Sequence, residues 1–268
     1  LYSIEVRPHG STFSTHFHER LMWSEDPWFQ PVDLALDVDG SLLVADWYDG
    51  NINYQRTYRD RANFDVQRGR LYRISAASSS RTIAVPPDSG GASLVEKLRD
   101  SNIVRVRQTL ESLSARADPR LGDAFKQQFI ATADDREALH ALWALNQCGR
   151  FADDRELWAA GLSHRAASVR SWTVRLLGDR GHVDSRLRDQ LVTLARRDSD
   201  MLVLAQLACT ARRLPGPDCL AIASELMRRD AGAADPYLPL LLWWAVESKA
   251  VEYAPQIQGW LSVRECWE

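Results

Sequence analysis

The spacing of apolar residues changes once along this chain, and that change limits the possible folds more than any other feature. Residues 1–75 alternate apolar and polar positions and are rich in aromatic and β-branched side chains, as half-buried strands require. After residue 94, apolar side chains recur at spacings of three and four, the pattern of amphipathic helices. Residues 76–93 between them are small, rich in Pro, Gly and Ser, and without periodicity. The sequence therefore predicts a β domain at 1–75, a linker at 76–93 and a helical domain at 94–268.

Five short strands are predicted in the β domain, at residues 2–7, 12–17, 32–36, 41–45 and 70–75. Asp39 and Gly40 separate the third from the fourth, and an Asp-Gly pair tolerates the positive φ of a tight turn, so residues 34–45 are predicted to form a β-hairpin. Five strands are too few to close a large all-β structure. The chain also begins LYSIEV without an initiator Met, so we expect it to be a piece of a longer protein whose missing strands precede Leu1.

The helical domain repeats itself. Apolar helix cores begin near five residues, at intervals of 31, 32, 33 and 36: Val106, Glu137, Val169, Leu202 and Leu238. A two-helix unit that recurs every 30 to 40 residues is typical of an α-solenoid, because one helix pair cannot bury its own apolar face and must stack on its neighbours. The expected fold class is thus a multidomain α+β chain, with a β element followed by an all-α solenoid.

Charge and cysteine content exclude several classes of protein. The net charge is −3 over 268 residues, and the helical domain balances 24 basic against 24 acidic residues, so a nucleic-acid partner is not predicted. No apolar run reaches 18 residues, so no membrane span is predicted. The four cysteines form no CxxC or CxxCH pattern. Cys209 and Cys219 can pair across a Pro-Gly-Pro turn, although buried free thiols are the favoured interpretation.

Two resemblances to known families follow from these patterns. The segments DSNIVRVRQTLESL and HRAASVRSWTVRLLGDRG, with Val-Arg opening the second helix, look like HEAT repeats. The runs GSTF, DPWFQPVDLALDVDGSLLVADWYDGNINYQRTYRDR and RGRLYRIS resemble the closing part of the β-propeller in membrane-bound dehydrogenases of planctomycete and verrucomicrobial type. Those proteins look like distant relatives of quinoprotein glucose and sorbosone dehydrogenases.

The resemblance carries expectations about function. It implies the terminal blade or blades of a propeller, HEAT repeats and then a cytochrome c domain, in a periplasmic or extracellular protein that uses pyrroloquinoline quinone and haem c. This chain lacks most of such a propeller before Leu1 and contains no CxxCH, so haem binding by the chain itself is not supported, and no cofactor is evident in it. The implied substrate is a sugar or polyol, oxidised by hydride transfer to the quinone.

Candidate ligand-facing residues cluster in the segment that follows the hairpin. Asp46 ends a predicted strand and can either face a ligand or hold the next loop by accepting backbone hydrogen bonds; the second interpretation is favoured. The aromatic rings that follow can stack on a sugar or quinone or fill a blade interface. Arginine and carboxylate groups further on can bind an anionic ligand or tie the loop internally. The candidates are Asp46, Trp47, Tyr48, Asp49, Asn51, Arg56 and Arg59.

Other motifs support structural interpretations. His16 and His18 alternate on a predicted strand, so both rings leave one face, but the sequence brings no third ligand to them and a metal-free pair is favoured. Four arginines step by five residues in the helical domain, which rotates them around a helix, and they are interpreted as solvated or paired with Asp179 and Asp184. These are Arg165, Arg170, Arg175 and Arg180.

Two functions remain open at this point. One is the C-terminal part of a quinoprotein-like sugar or alcohol dehydrogenase, with the catalytic base unknown and expected on blades outside this chain. The other is a non-catalytic propeller and HEAT scaffold that binds a protein or polysaccharide partner, since solenoids are mostly binding surfaces. The chain alone is not expected to be catalytic.

Overall fold

The computed structural model describes residues 1–50, 67–76, 91–116, 118–229, 232 and 234–261. The described chain is mixed, with five strands in its N-terminal part followed by eleven α-helices, which confirms the predicted order of β and α structure. The strands form two small sheets and no closed barrel or propeller within this part of the chain. Most of the predicted linker, residues 77–90, lies outside the described residues. Two compact units are present, residues 1–5 with 15–111, and residues 6–14 with 112–268.

All five predicted strands are confirmed. Strands β1 and β2 pair with each other, and the other three form a separate antiparallel sheet in which β4 is central. Their bounds are β1 (Tyr2–His9), β2 (Thr12–Arg20), β3 (Pro31–Leu36), β4 (Leu42–Asp46) and β5 (Arg70–Ile74).

The predicted hairpin is confirmed by the register of β3 and β4, in which Leu34 lies opposite Val44. The Asp37 N–H donates to the Ser41 carbonyl (2.8 Å), and the Gly40 N–H donates to the Asp37 carbonyl (2.9 Å). Gly40 has a φ of 82°, which glycine adopts without steric cost. A three-residue turn with glycine in the left-handed region is therefore formed where the Asp-Gly pair predicts one.

Side chains from β5 and from the start of the second helix hold this turn. Arg73 pairs with Asp37 (2.7 Å) and with Asp39 (3.0 Å). Asn102, the residue before that helix, donates through Nδ2 to the carbonyls of Asp37 (3.1 Å) and Val38 (3.0 Å). The turn is thus fixed by charge-assisted and neutral hydrogen bonds within the first unit.

The two sheets leave much apolar surface uncovered. Val44 on the central strand is fully buried, but many large apolar side chains on the other strands are more than 40% exposed. They are Tyr2, Ile4, Val6, Phe13, Phe17, Val32, Leu34, Leu36 and Leu71. Such a concentration of exposed apolar side chains is unusual for a sheet that is complete by itself.

The helices are numbered in chain order. They are α1 (Gly91–Lys97), α2 (Ile103–Arg116), α3 (Gly122–Ala131), α4 (Asp135–Gln147), α5 (Arg155–Leu162), α6 (Ala167–Gly178), α7 (Ser185–Arg197), α8 (Met201–Arg213), α9 (Gly216–Met227), α10 (Leu238–Glu247) and α11 (Ala254–Leu261). Short 3₁₀ segments occur at Pro119–Leu121 and Phe151–Asp153. None of the helices described is both long and apolar enough to cross a membrane.

Alternate helices of the second unit pack on one another in sequence. Helix α4 contacts α6, α6 contacts α8, and α8 contacts α10, while α5, α7 and α9 pack against members of this row or against each other. Each of the five predicted apolar cores lies in one helix, and these helices, α2, α4, α6, α8 and α10, begin 32, 32, 34 and 37 residues apart. We call the row α4, α6, α8 and α10 the helix row.

Two glycines permit close approach between neighbouring helices. A Cβ atom at Gly161 of α5 would overlap the Thr173 side chain of α6, and one at Gly178 of α6 would overlap the Thr210 side chain of α8. Both threonines are fully buried. The packing of the helix row therefore depends on the absence of a side chain at these positions.

Candidate functional site

Asp46 ends β4 with a buried carboxylate that holds the chain on both sides. One of its oxygens, Oδ1, accepts hydrogen bonds from the backbone N–H groups of Gln30 (2.7 Å) and Tyr48 (3.0 Å). The other, Oδ2, accepts from the Tyr72 hydroxyl on β5 (3.4 Å). All three donors are protein groups, so the carboxylate fixes the segment before β3 and the segment after β4.

Arg70 contacts three further side chains at the same strand ends. Its Nη1 donates to Asp26 (3.0 Å) and to the Tyr72 hydroxyl (3.1 Å). Its guanidinium carbon lies 3.3 Å from the centroid of the Tyr48 ring, a close cation–π contact. We call Asp26, Asp46, Tyr48, Arg70 and Tyr72 the strand-end cluster.

Two members of the strand-end cluster, Asp26 and Arg70, are stabilised in their charged forms. The Trp28 backbone N–H and, to a smaller extent, Arg70 donate to the Asp26 carboxylate and lower its pKa. Hydrogen bonds to Tyr72 and then to Asp26 raise the pKa of the Arg70 guanidinium. A general acid or base needs a pKa close to the working pH, and these shifts move Asp26 and Arg70 away from neutrality. The pair therefore supplies fixed charge and hydrogen bonding.

Tyr48 has an unusual backbone conformation. Its φ is 52°, and it is the one non-glycine residue with a positive φ in the described ranges. A left-handed conformation at a non-glycine residue costs about 1–3 kcal/mol, so the surroundings must impose it. The hydrogen bond from the Tyr48 N–H to Asp46 and the Arg70 contact with its ring do so here.

The remaining ligand-facing candidates are scattered. Trp47 is 63% exposed, and its backbone N–H donates to the Gln30 carbonyl (2.9 Å). Asp49 is buried, with 4% of its surface accessible. The other three, Asn51, Arg56 and Arg59, lie outside the described residues. The structure thus brings Asp46 and Tyr48 into one cluster and leaves Trp47 on the surface beside it.

His16 and His18 lie exposed on β2. The nearest charge partner of His18 is Glu19, whose carboxylate lies 3.9 Å from the His18 Nδ1. Within the described ranges, no group of three or more His, Cys, Asp or Glu side chains is arranged to hold a metal ion.

The polar groups of the strand-end cluster are engaged mainly with one another, which does not favour them as ligands of pyrroloquinoline quinone, the cofactor that the resemblance implies. That cofactor carries carboxylates, which need unoccupied cationic donors. Arg70 instead uses its Nη1 on Asp26 and Tyr72 and covers the Tyr48 ring, while Asp46 accepts three internal hydrogen bonds. No catalytic step is therefore assigned to these residues.

Three of the four stepping arginines in the helical part bind neighbouring segments. Arg170 makes two hydrogen bonds to the buried Asp198 carboxylate, at 2.6 and 2.9 Å. Arg165 pairs with Asp135 (2.8 Å), and Arg180 donates to a backbone carbonyl 28 residues earlier (2.6 Å). Each of these interactions joins residues about one helix pair apart in the sequence, so the three arginines link neighbouring helix pairs.

The predicted pairing of these arginines with Asp179 and Asp184 is not found, whereas Arg175 is exposed and forms no ion pair with the described residues, as the solvated alternative predicts. Asp179 pairs instead with Arg213, which lies 34 residues later, and Asp184 pairs with Arg155, 29 residues earlier (2.6 Å). The reason is geometric: Asp179 and Asp184 lie beyond the end of α6, and helix stacking brings them close to residues about one helix pair away. Sequence proximity was a poor guide to the partner.

A cluster that the sequence analysis did not single out lies on the helix row. The rings of Trp143 on α4 and Trp172 on α6 meet edge to face, with centroids 5.0 Å apart. The Arg175 guanidinium lies 4.9 Å from the Trp172 ring centroid, and His140 stacks on Trp143 at 5.6 Å. We call His140, Trp143, Trp172 and Arg175 the tryptophan cluster. The sequence feature that could have indicated this cluster is a tryptophan in each of two neighbouring helices of the row, α4 and α6.

The aromatic side chains of the tryptophan cluster are at least half-buried, whereas its charged side chain is accessible to solvent. His140 is buried, the two tryptophans are half-buried, and Arg175 is exposed. Among the residues described, Arg175 forms no ion pair, in contrast to Arg165 and Arg170. The buried Nε1 of Trp143 likewise has no hydrogen-bond acceptor there. A cation held over an aromatic ring and open to solvent can bind an anionic group of a partner.

The thiols in the described part of the chain are free. Cys148, Cys209 and Cys219 form no disulfide, so the alternative pairing of Cys209 with Cys219 is not formed. Burial raises the pKa of the Cys219 thiol to about 11. A thiol with that pKa is a poor nucleophile at neutral pH.

Comparison with known proteins gives one family match. A family described as a domain of unknown function (DUF7133) matches residues 2–78, which include all five strands and the strand-end cluster. No curated protein matches the chain. The β part is thus similar to a recognised domain.

Proposed function

We propose that this chain is a non-catalytic binding module, in which residues 94–268 act as a HEAT-like α-solenoid and residues 1–75 as the terminal blade or blades of a β-propeller. The observation that carries the proposal is the tryptophan cluster, which lies on two adjoining helices of the helix row and presents an exposed arginine.

The helix row supports the solenoid part of the proposal. Its members begin 32 to 37 residues apart, and each contacts the next. Ion pairs that span about one helix pair reinforce these contacts. Solenoids use such rows as extended binding surfaces.

The chemistry of the tryptophan cluster favours a protein partner. Tryptophan and arginine dominate the binding energy of many protein interfaces, because they combine a large apolar area with a directed charge. Arg175 would bind a partner carboxylate, while Trp172 would contact an apolar side chain beside it. A polysaccharide is the alternative partner, since sugar rings also stack on tryptophan.

Two matched substitutions test the proposed surface. Arg175→Glu reverses the exposed charge, and Arg212→Glu does the same at another exposed position on α8. We expect quantitative mass spectrometry of native extracts to identify a protein retained by the wild type and by Arg212→Glu, but not by Arg175→Glu. The purified partner protein should then bind Arg175→Glu with an affinity at least about tenfold lower than its affinity for the wild type. Equal binding by both variants would refute the proposal, and retention on polysaccharide alone would favour the alternative partner.

The uncovered sheets support the proposed place of the β part in a propeller. A propeller blade packs both faces of its sheet against neighbouring blades, so isolated blade strands expose apolar side chains. Val32 and Leu34 on β3 and Leu71 on β5 are at least half exposed. We propose that further blades of a longer protein cover them.

A second candidate function is the C-terminal part of a quinoprotein-like sugar or alcohol dehydrogenase. The strained Tyr48 favours it, because strained backbone concentrates at functional sites and the residue lies beside Arg70 at the strand ends. In this reading the protein is periplasmic or extracellular, the HEAT repeats link the propeller to a cytochrome c domain, and the catalytic base and quinone site lie on other blades.

A full-length protein loaded with pyrroloquinoline quinone tests this second candidate. We expect it to reduce an artificial electron-acceptor dye in the presence of aldoses or polyols. Lack of dye reduction with every sugar tested, from a protein shown to bind the quinone, would eliminate the dehydrogenase.

A further inference from the structure

An apolar pocket lies among the last three described helices. It has a volume of about 270 Å³ and is formed by the end of α9, by α10 and by α11. Most of its wall consists of Leu226, Met227, Leu242, Trp243, Ile257 and Trp260. Since one water molecule occupies about 30 Å³ in the liquid, a pocket of this volume has room for roughly nine non-hydrogen atoms. The pocket is therefore sized for a small molecule with an apolar body.

One charged side chain also lines this pocket. Arg229 donates through Nη1 to the carbonyls of Ala195 (3.0 Å) and Arg196 (2.7 Å), and through Nη2 to that of Asp198 (2.6 Å). These carbonyls belong to the end of α7 and the residue after it. The guanidinium is thus fixed in position by three backbone acceptors.

The third guanidinium nitrogen of Arg229, Nε, takes part in none of these hydrogen bonds. This nitrogen is buried and has no hydrogen-bond partner within the described ranges, although Arg229 lines an otherwise apolar pocket. A buried donor without an acceptor is unfavourable, and a charged donor more so than a neutral one. A ligand whose anionic group lay beside the Arg229 side chain in this pocket would place a counter-charge next to the guanidinium.

We propose that this pocket binds a small amphipathic carboxylate, with its hydrocarbon part against Trp243 and Trp260 and its carboxylate at Arg229. A carboxylate fits better than a neutral polar head, because the three carbonyls around Arg229 carry only partial charges, and Arg229 forms no ion pair with the residues that the structure describes. An ammonium head is excluded by repulsion from the same guanidinium. This site is independent of the tryptophan cluster and of the partner proposed for it.

Three ligands that share one chain length test the head group. Octanoate, 1-octanol and octylammonium are titrated into the full chain, with isothermal calorimetry and saturation-transfer NMR as readouts. We expect octanoate to bind with a Kd of about 1 mM or below and at least about tenfold more tightly than the other two. Equal affinity for octanoate and 1-octanol, or no binding of octanoate, would overturn the proposal.

A pair of neighbouring tryptophans tests the location. Trp243 lines the pocket and Trp244 does not, while both are more than 40% exposed, so either can be replaced without removing a core residue. We expect Trp243→Ala to weaken octanoate binding about tenfold and Trp244→Ala to leave it unchanged. The same affinity in both variants would place octanoate elsewhere and refute this pocket.

Arg229→Met tests the proposed counter-charge. We expect this variant to bind octanoate and 1-octanol with equal affinity, and retained selectivity would contradict the role of Arg229. If Arg229→Met fails to fold because the end of α7 loses its donor, the selectivity of the wild type and the tryptophan pair still decide the question.

Discussion

The bond between Arg170 and Asp198 provides a quantitative test of how the helical part is held together. Arg170 donates to both carboxylate oxygens of Asp198 (2.6 and 2.9 Å), and the two side chains are 17% and 2% exposed. Arg170 also donates to the carbonyls of His164 (2.8 Å) and Arg165 (2.9 Å). Arg170→Met would leave a buried carboxylate without its cation, so we expect the free energy of unfolding to fall by about 3–5 kcal/mol.

The same substitution five residues earlier serves as the control. Arg165 pairs with Asp135, but these side chains are 60% and 52% exposed, so water screens them. We expect Arg165→Met to cost about 0–1 kcal/mol. Urea denaturation followed by far-UV circular dichroism measures both variants, and the slopes of the transitions should agree before their free energies are compared.

A double variant separates the lost attraction from the unpaired charge. Arg170→Met with Asp198→Leu removes both ions, so we expect it to cost less than the sum of the two single substitutions. The reasoning would be refuted if Arg170→Met cost no more than Arg165→Met, since burial of the ion pair would then have no energetic consequence.

Three further predictions concern packing, thiols and acid stability. Gly178→Ala should lower the free energy of unfolding by about 1–3 kcal/mol in urea titrations, with partial rescue by Thr210→Ala, because the added methyl overlaps that side chain; an unchanged or raised stability would contradict the close packing. Iodoacetamide at mildly alkaline pH should alkylate the exposed Cys209 well before the buried Cys219, whose pKa is about 11, as measured by peptide mass spectrometry; equal rates would be inconsistent with this burial. Two backbone N–H groups lower the pKa of Asp134, so its contribution to stability is present above the unfolded value of about 3.9 and disappears as the pH falls through the lower folded pKa. Asp134→Asn keeps the helix cap and should lose less stability than the wild type between about pH 5 and about pH 2, and identical pH profiles would exclude this contribution.

Local patterns predicted the elements of this fold well. Each of the five strands and each of the five apolar helix cores is found where the period of the sequence placed it. The turn at Gly40 followed from the residue pair itself, because glycine alone adopts its φ of 82° freely. These features depend on neighbours within a few residues, which the sequence displays directly.

The contacts between distant elements could not be predicted in the same way. Arg70 reaches Asp26 across 44 residues, and Trp143 meets Trp172 only because α4 and α6 pack side by side. Which face of a helix meets its neighbour depends on the crossing geometry of whole helices, which periodicity leaves undetermined. The sequence indicates Asp46 as a candidate, because the end of a strand can be recognised from local residues. It does not indicate Tyr72 as the partner of Asp46, because that contact depends on how the strands pair.

The range of the ion pairs in the helical part has a consequence for how such a chain can change in length. The ties from Arg155 to Asp184, from Arg170 to Asp198 and from Arg196 to Glu225 span 28 or 29 residues, about one helix pair. A structure held by ties of this range is coupled between adjacent pairs and hardly at all beyond them. We therefore expect that inserting or removing a whole helix pair in this part of the chain would restore ion pairs of the same range at the new junction.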